Sequence, residues 1–104
     1  MASEGKVLLT GFELENEEKS IVNQTVERYL RKIEEKTSYQ ELKLNLKQSE
    51  HGKAFMHEIQ GSMITGKKRI TSKATGYNLY KVLSEVLEKI LNEIEHKERT
   101  SRQT

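Results

Sequence analysis

The sequence predicts an α+β domain of order β-α-β-β-β-α, a four-stranded sheet with two helices packed on one face. Three observations predict it. Residues 42–47 alternate Leu42, Leu44 and Leu46 with Lys43, Asn45 and Lys47, the pattern of a half-buried strand. Two longer stretches repeat apolar residues at helical spacing, and glycines divide the middle of the chain into further strands.

Lys6-Val7-Leu8-Leu9-Thr10, closed by Gly11, reads as a first strand buried on both faces. Asn16 is a candidate cap for a helix over about 17–35. Glu17 and Glu18 lie in its first turn, at the positive end of the dipole, and Val22, Val26, Tyr29, Leu30 and Ile33 form its apolar stripe. The second strand, 42–47, leads through a turn at Ser49-Glu50-His51-Gly52 into a third over 53–60. After Gly61 a fourth strand is expected over 62–75, with Gly66-Lys67 as a turn or bulge. Gly76 ends it, and Asn78 caps a second helix that reaches about residue 96, striped by Leu79, Leu83, Val86, Leu87, Ile90, Leu91 and Ile94.

An antiparallel sheet with one apolar face and two amphipathic helices buries all its apolar groups if both helices lie on the same side. Lys43, Lys47, Arg69 and Lys73 then point outward from the other face. The 104 residues suit a single domain, with an ordered core over about 6–96 and flexible residues before and after it. Only 34% of them are hydrophobic and 33% are charged, but the apolar residues are periodic rather than scattered.

With no cysteine, a disulfide framework and thiolate metal sites are excluded, and a reducing, cytoplasmic setting is expected. No apolar run approaches the roughly 20 residues of a membrane helix. The net charge of +2 hides an uneven distribution. Residues 1–18 hold five Glu against one Lys, whereas 42–78 hold seven bases against two acids. That asymmetry suggests an anionic partner, although solvated strand faces also collect lysines.

The strand-to-helix junction Ala74-Thr75-Gly76-Tyr77-Asn78-Leu79-Tyr80, with Glu88-Lys89-Ile90 further along the helix and His96-Lys97 closing it, resembles the ribosome hibernation-promoting factor family. The ribosome-associated inhibitor A (sigma-54 modulation) proteins belong to the same group. Leu9-Thr10-Gly11 is similar to the family's first strand, and Asn78 stands where the family has a capping Asp. The resemblance spans about residues 6–98. It implies a fold similar to a double-stranded RNA-binding domain with an added first strand. It also implies a role in binding ribosomal RNA of the small ribosomal subunit near the decoding site, in competition with messenger and transfer RNA.

By the same resemblance, Lys19 and Arg28 on the first helix, and Lys89, His96 and Lys97 on the second, match or lie near basic positions of the family. Asn92, Glu93 and Glu95 depart from it, standing where the family is usually basic. Lost positive charge weakens phosphate contacts.

Lys67-Lys68-Arg69, followed by Lys73, is the densest basic cluster. On a hairpin it could reach a phosphate backbone, though adjacent bases are also common at exposed turns. The candidate RNA-binding set is therefore Lys19, Arg28, Lys43, Lys47, Lys67, Lys68, Arg69, Lys73, Lys89 and Lys97. Tyr77 and Tyr80 flank the helix start and could stack on bases, but aromatics at such junctions more often seal a core.

His51, His57 and His96 have no metal-ligand spacing, so no metal is expected. Gly61 and Gly66-Lys67-Lys68 imitate a phosphate-binding loop but lack the following Ser or Thr. No catalytic constellation, cofactor, small-molecule substrate or membrane partner is indicated. The expected protein is an RNA-binding, translation-associated factor and not an enzyme. The alternative is a protein-interaction module that kept the fold and lost ribosome binding.

Overall fold

The computed structural model describes the backbone of residues 5–103 and the side chains of residues 5–95. The elements are β1 (Lys6–Thr10), α1 (Asn16–Glu34), β2 (Glu41–His51), β3 (Ala54–Thr65), β4 (Lys68–Gly76) and α2 (Leu79–Gln103). The expected fold class and element order are borne out.

The strands form one sheet in the order β1-β2-β3-β4. β2, β3 and β4 are an antiparallel meander, whereas β1 pairs with β2 in parallel. The sheet is therefore mixed rather than wholly antiparallel. α1 carries the chain back along the sheet between β1 and β2, so the second strand starts at the same end as the first.

The meander turns are tighter than the sequence suggests. β2 continues to His51, and its hairpin with β3 closes over Gly52-Lys53, with Gly52 at φ 67°. The second hairpin closes over Gly66-Lys67, with Gly66 at φ 60°. Both are two-residue connections whose first residue needs a left-handed backbone, which glycine supplies.

Gly61 does not divide two strands as its sequence context suggests, because β3 runs straight through it. A Cβ there would stand 2.8 Å from Val86 Cγ1 and 3.0 Å from Leu44 Cδ2. The glycine marks a close approach of helix to sheet, not a turn. Beside it on β4, Ser72 is also small, and its hydroxyl donates to the Val86 carbonyl at 2.9 Å.

The core lies between the sheet and both helices. Leu42, Leu44, Leu46, Ile59, Met63, Ile70 and Ala74 on the sheet meet Val22, Val26, Tyr29 and Ile33 of α1, and Leu83, Val86, Leu87 and Ile90 of α2. The expected stripes thus face inward. Leu30 is only half-buried, on the flank of α1.

The first strand is not buried on both faces. Val7 and Leu8 are 37% and 39% exposed, because β1 is an edge and the helices cover only one side of the sheet.

Helix ends follow local chemistry. At α1 the N-cap is Glu15 rather than Asn16, and the Glu18 carboxylate accepts the Glu15 backbone N–H at 3.1 Å. At α2, Asn78 caps as expected, its Oδ1 accepting from the backbone of Tyr80 and Lys81 at 3.0 and 3.2 Å. The α2 backbone continues to Gln103 instead of stopping near 96, through Glu, Lys and Arg, which favour helix. The expected flexible N-terminus lies largely outside the described residues.

α1 and α2 are joined by the Tyr29 hydroxyl, which donates to Glu88 Oε1 at 2.8 Å. Burial, then the hydrogen bond and negative charge of Glu88, raise the Tyr29 phenol above its ordinary value of 10.0. Burial, then the charge of Glu34, raise Tyr39 in the same direction.

Two outcomes are expected. Gly61→Ala should cost about 1–3 kcal/mol in chemical denaturation, as overpacking does. A raised phenol favours the protonated fold, so the stability from Tyr29 and Tyr39 is present below pH 10.0 and lost as pH rises through their folded values. Phenolate absorbance should show both ionising late, and Tyr29→Phe should flatten the alkaline loss of stability.

Candidate nucleic-acid interface

Because both helices lie on one side, the other face of the sheet is bare, and the strand alternation decides what it presents. The pairing register sets four rows across it. Lys6, Glu41, Ile64 and Arg69 form one end row, and Leu8, Lys43, Ser62 and Thr71 the next. Thr10, Asn45, Gln60 and Lys73 follow, and then Lys47, Glu58 and Thr75.

Lys43, Ser62 and Thr71 of one middle row and Asn45, Gln60 and Lys73 of the other line a shallow groove of about 620 Å³. Its floor is polar. The Thr10 hydroxyl donates to Asn45 Oδ1 at 3.0 Å, which leaves the Asn45 NH₂ donors and the second Oδ1 lone pair for a ligand.

The expected outward set, Lys43, Lys47, Arg69 and Lys73, does share this face. The other candidates are dispersed. Lys67 and Lys68 sit at the β3–β4 turn, exposed. Lys89 comes from α2 to the edge of the sheet, where its Nζ donates to the Lys73 carbonyl at 2.9 Å and stands 3.5 Å from Glu85. There it joins Lys73 in a second cleft, of about 470 Å³, shared with Asn92 and Glu93.

Lys19 and Arg28 are exposed on α1, in the helical layer, on the opposite side from the bare face. Arg28 and Lys32 lie 5.8 and 5.1 Å from the Tyr29 ring centroid. The side chains of His96 and Lys97 lie outside the described residues.

Carboxylates temper the basic face. Glu58 lies 3.6 Å from Lys73, and Glu41 is next to Lys6. Such exposed pairs are worth little in stability, but they lower the field an anionic partner meets. The exposed aromatics, Tyr77 and Phe55, at 59% and 52%, are not among the residues of the four rows. Tyr80 packs against the core, as its position suggests, whereas Tyr77 does not seal it. The bare face therefore offers ammonium and guanidinium groups with amides and hydroxyls between them, which suits phosphate contacts better than base stacking.

Two contributions escaped the sequence. Lys6 joins the face only because β1 pairs with β2. Gln40 holds the basic turn, its Oε1 accepting the Gly66 N–H at 2.9 Å and its Nε2 donating to the Gly66 carbonyl at 3.1 Å. Neither has a local signal, since Gln40 and Gly66 are 26 residues apart. Among the described residues, no group of three or more His, Cys, Asp or Glu side chains could hold a metal ion, and no helix is long and apolar enough to cross a membrane.

A mixed four-stranded sheet with one bare face and two helices on the other defines a two-layer α+β protein. The same architecture is found in a ribosomal subunit interface protein from Coxiella burnetii, with a TM-score of 0.68 at 9% identity, over 90% of this chain and 98% of that one. It recurs in the N-terminal domain of Protein Y from Thermus thermophilus, with a TM-score of 0.54 at 16% identity, over 92% of this chain and 98% of that one. The resemblance read from the strand-to-helix junction is borne out at the level of fold. No protein-family model matches the sequence, and no curated protein matches it.

Gln40→Ala should leave the sheet intact but free the Gly66 turn, at a cost of about 1 kcal/mol. The Gly66 amide, measured by hydrogen exchange, should lose protection while amides in the centre of β3 keep theirs.

Proposed function

We propose that this protein is a ribosome-associated, non-enzymatic factor that binds structured ribosomal RNA on the small subunit. The bare sheet face contacts phosphates. The observation that carries this reading is the convergence of Lys43 and Lys47 from β2 with Arg69 and Lys73 from β4 on one uncovered surface. Lys67 adjoins that surface at the turn held by Gln40, whereas Lys68 falls by alternation on the helix side of β4 with Ile70.

The names of the structural neighbours, a ribosomal subunit interface protein and Protein Y, support the same partner. The family resemblance implies a site near the decoding centre and a cytoplasmic location. No step of chemistry is required: occupancy alone excludes messenger and transfer RNA.

The bases divide between two sides of the molecule, so the sheet-face group and the α1 group, Lys19 and Arg28, need not serve one contact. The sheet group is the larger and lines a groove. A second reading, a protein-interaction module that kept the fold, is favoured by the acids set against the helix and sheet bases: Glu58 at Lys73, Glu85 at Lys89, and Glu93 in the edge cleft.

Co-sedimentation with small ribosomal subunits at low salt and at about 200 mM salt separates the readings, because phosphate contacts weaken steeply over that range. Pelleting that falls with salt supports RNA binding. Protein that stays in the supernatant at both salts supports the second reading. Changing Lys67, Lys68, Arg69 and Lys73 together to Gln should weaken binding and flatten the salt dependence by about one unit of slope per lost phosphate contact, with thermal stability nearly unchanged. Lys19→Gln with Arg28→Gln should have the smaller effect, and the reverse ranking would move the interface to the helices.

A further inference from the structure

The four bases of the bare face follow an order. From β2 across to β4, the register gives each row a single cation: Arg69 on β4, then Lys43 on β2, then Lys73 on β4, then Lys47 on β2. β3, the strand between them, contributes none; its outward residues are Ile64, Ser62, Gln60 and Glu58. Successive rows are two residues apart along the strands, or about 6.6 Å. A polyanion crossing the sheet from β2 to β4 would meet one of these bases. One running along β3 meets them in turn, from alternate sides.

An anion already stands over β3. The Glu58 carboxylate lies 3.6 Å from Lys73 Nζ, so a lysine of β4 leans across to hold negative charge above the middle strand. Lys47, directly opposite Glu58 on β2, stands on its other side. Among the described residues, Arg69, Lys43 and Lys47 form no ion pair.

We propose that one strand of a base-paired RNA runs along β3 over Ser62 and Gln60, its successive phosphates meeting Arg69, Lys43 and Lys73, an assignment that rests on the RNA-binding reading above. Glu58 holds the next anion position and ends the track. The phosphate over Gln60 must draw Lys73 away from Glu58, and Lys47 receives no phosphate while that carboxylate is present. Glu58 is thus a competitor built into the face, which keeps the contact short and its affinity down.

The chemistry of the face favours a paired strand over an unpaired one. Unpaired RNA draws much of its affinity from bases stacked on aromatic rings, and the exposed Tyr77 and Phe55 lie outside the four rows. A strand whose bases are already paired turns its phosphates and ribose hydroxyls outward. Ser62 and Gln60, between the two flanks of bases, offer a hydroxyl and a carboxamide to those groups.

Titration of a fluorescently labelled RNA hairpin at salt concentrations from about 50 to about 200 mM measures the affinity and its salt slope. Arg69→Gln, Lys43→Gln and Lys73→Gln should each lower that slope by about one unit. Lys68→Gln, on the helix side of β4, should leave it unchanged. Glu58→Gln should tighten binding several-fold and raise the slope by about one unit, as Lys47 gains a phosphate. Lys47→Gln should change little by itself, yet cancel that gain when combined with Glu58→Gln. The substituted side chains are exposed or half-buried, so melting curves should stay close to that of the wild type.

An effect of Lys47→Gln that is the same with and without Glu58 overturns the proposal, because a diffuse field adds charges independently whereas a shared site couples them. So does a hairpin affinity that Glu58→Gln leaves unmoved, or tighter binding of an unpaired oligouridine of the same length. Any of these results, in a protein that still pellets with small ribosomal subunits, removes the β3 track and keeps the ribosome reading. A protein that neither pellets nor binds the hairpin overturns both.

Discussion

The close seating of α2 on the sheet is the contact on which the rest of the molecule depends. It is possible because the row beneath the helix is built from a glycine and a serine. Gly61 gives Val86 and Ile90 room to approach, and Ser72 satisfies itself on the Val86 carbonyl without lifting the helix away. Leu83, Val86, Leu87 and Ile90 are then sealed against Leu44, Ile59 and Met63. A larger pair in that row would tilt or raise α2 and open the layer between helices and sheet, since interiors are packed too densely to absorb the volume.

Seating α2 there places α1 beside it and exhausts the apolar stripes on one side of the sheet. The bare face is the necessary remainder of that packing: strands that bury Leu42, Leu44 and Leu46 must turn Lys43, Asn45 and Lys47 the other way. The same geometry explains why the candidate bases fall into separate groups. Strand alternation gathers bases from β2 and β4 on one surface, whereas the solvent side of α1 looks in the opposite direction. Lys89 belongs to neither group, because it is drawn onto the edge of β4 and serves the fold at least as much as any ligand.

The parts of this arrangement legible in the sequence were those governed by local period and local chemistry. The leucine alternation in β2, the two helical stripes and the Asn78 cap each depend on residues within a turn or two of one another. Reading failed where a residue's meaning lay in a distant partner. Gly61 looks like a chain break because its reason, Val86, lies on another element. The apolar run in β1 looks buried because composition does not reveal which strand is left at an edge. Glu15 displaced Asn16 as the cap because its backbone is matched by Glu18, and the Gln40 clamp on Gly66 is invisible without the sheet. Of the candidate site, alternation predicted the sheet-face four; the grouping of the helix bases depended on packing.

The parallel pairing of β1 sets it apart in how the chain can assemble. Each meander hairpin closes over two residues, so β2, β3 and β4 can find their register with almost no loop to close. β1 reaches β2 only across α1: Lys6 meets Glu41 and Thr10 meets Asn45 after the whole helix has intervened. It brings five residues to that closure, flanked by a single neighbour. The domain thus consists of a locally wired unit and a strand recruited from afar. The recruited strand carries the longest sequence separation in the sheet on the shortest ladder, which makes it the natural last step of folding and the first to let go.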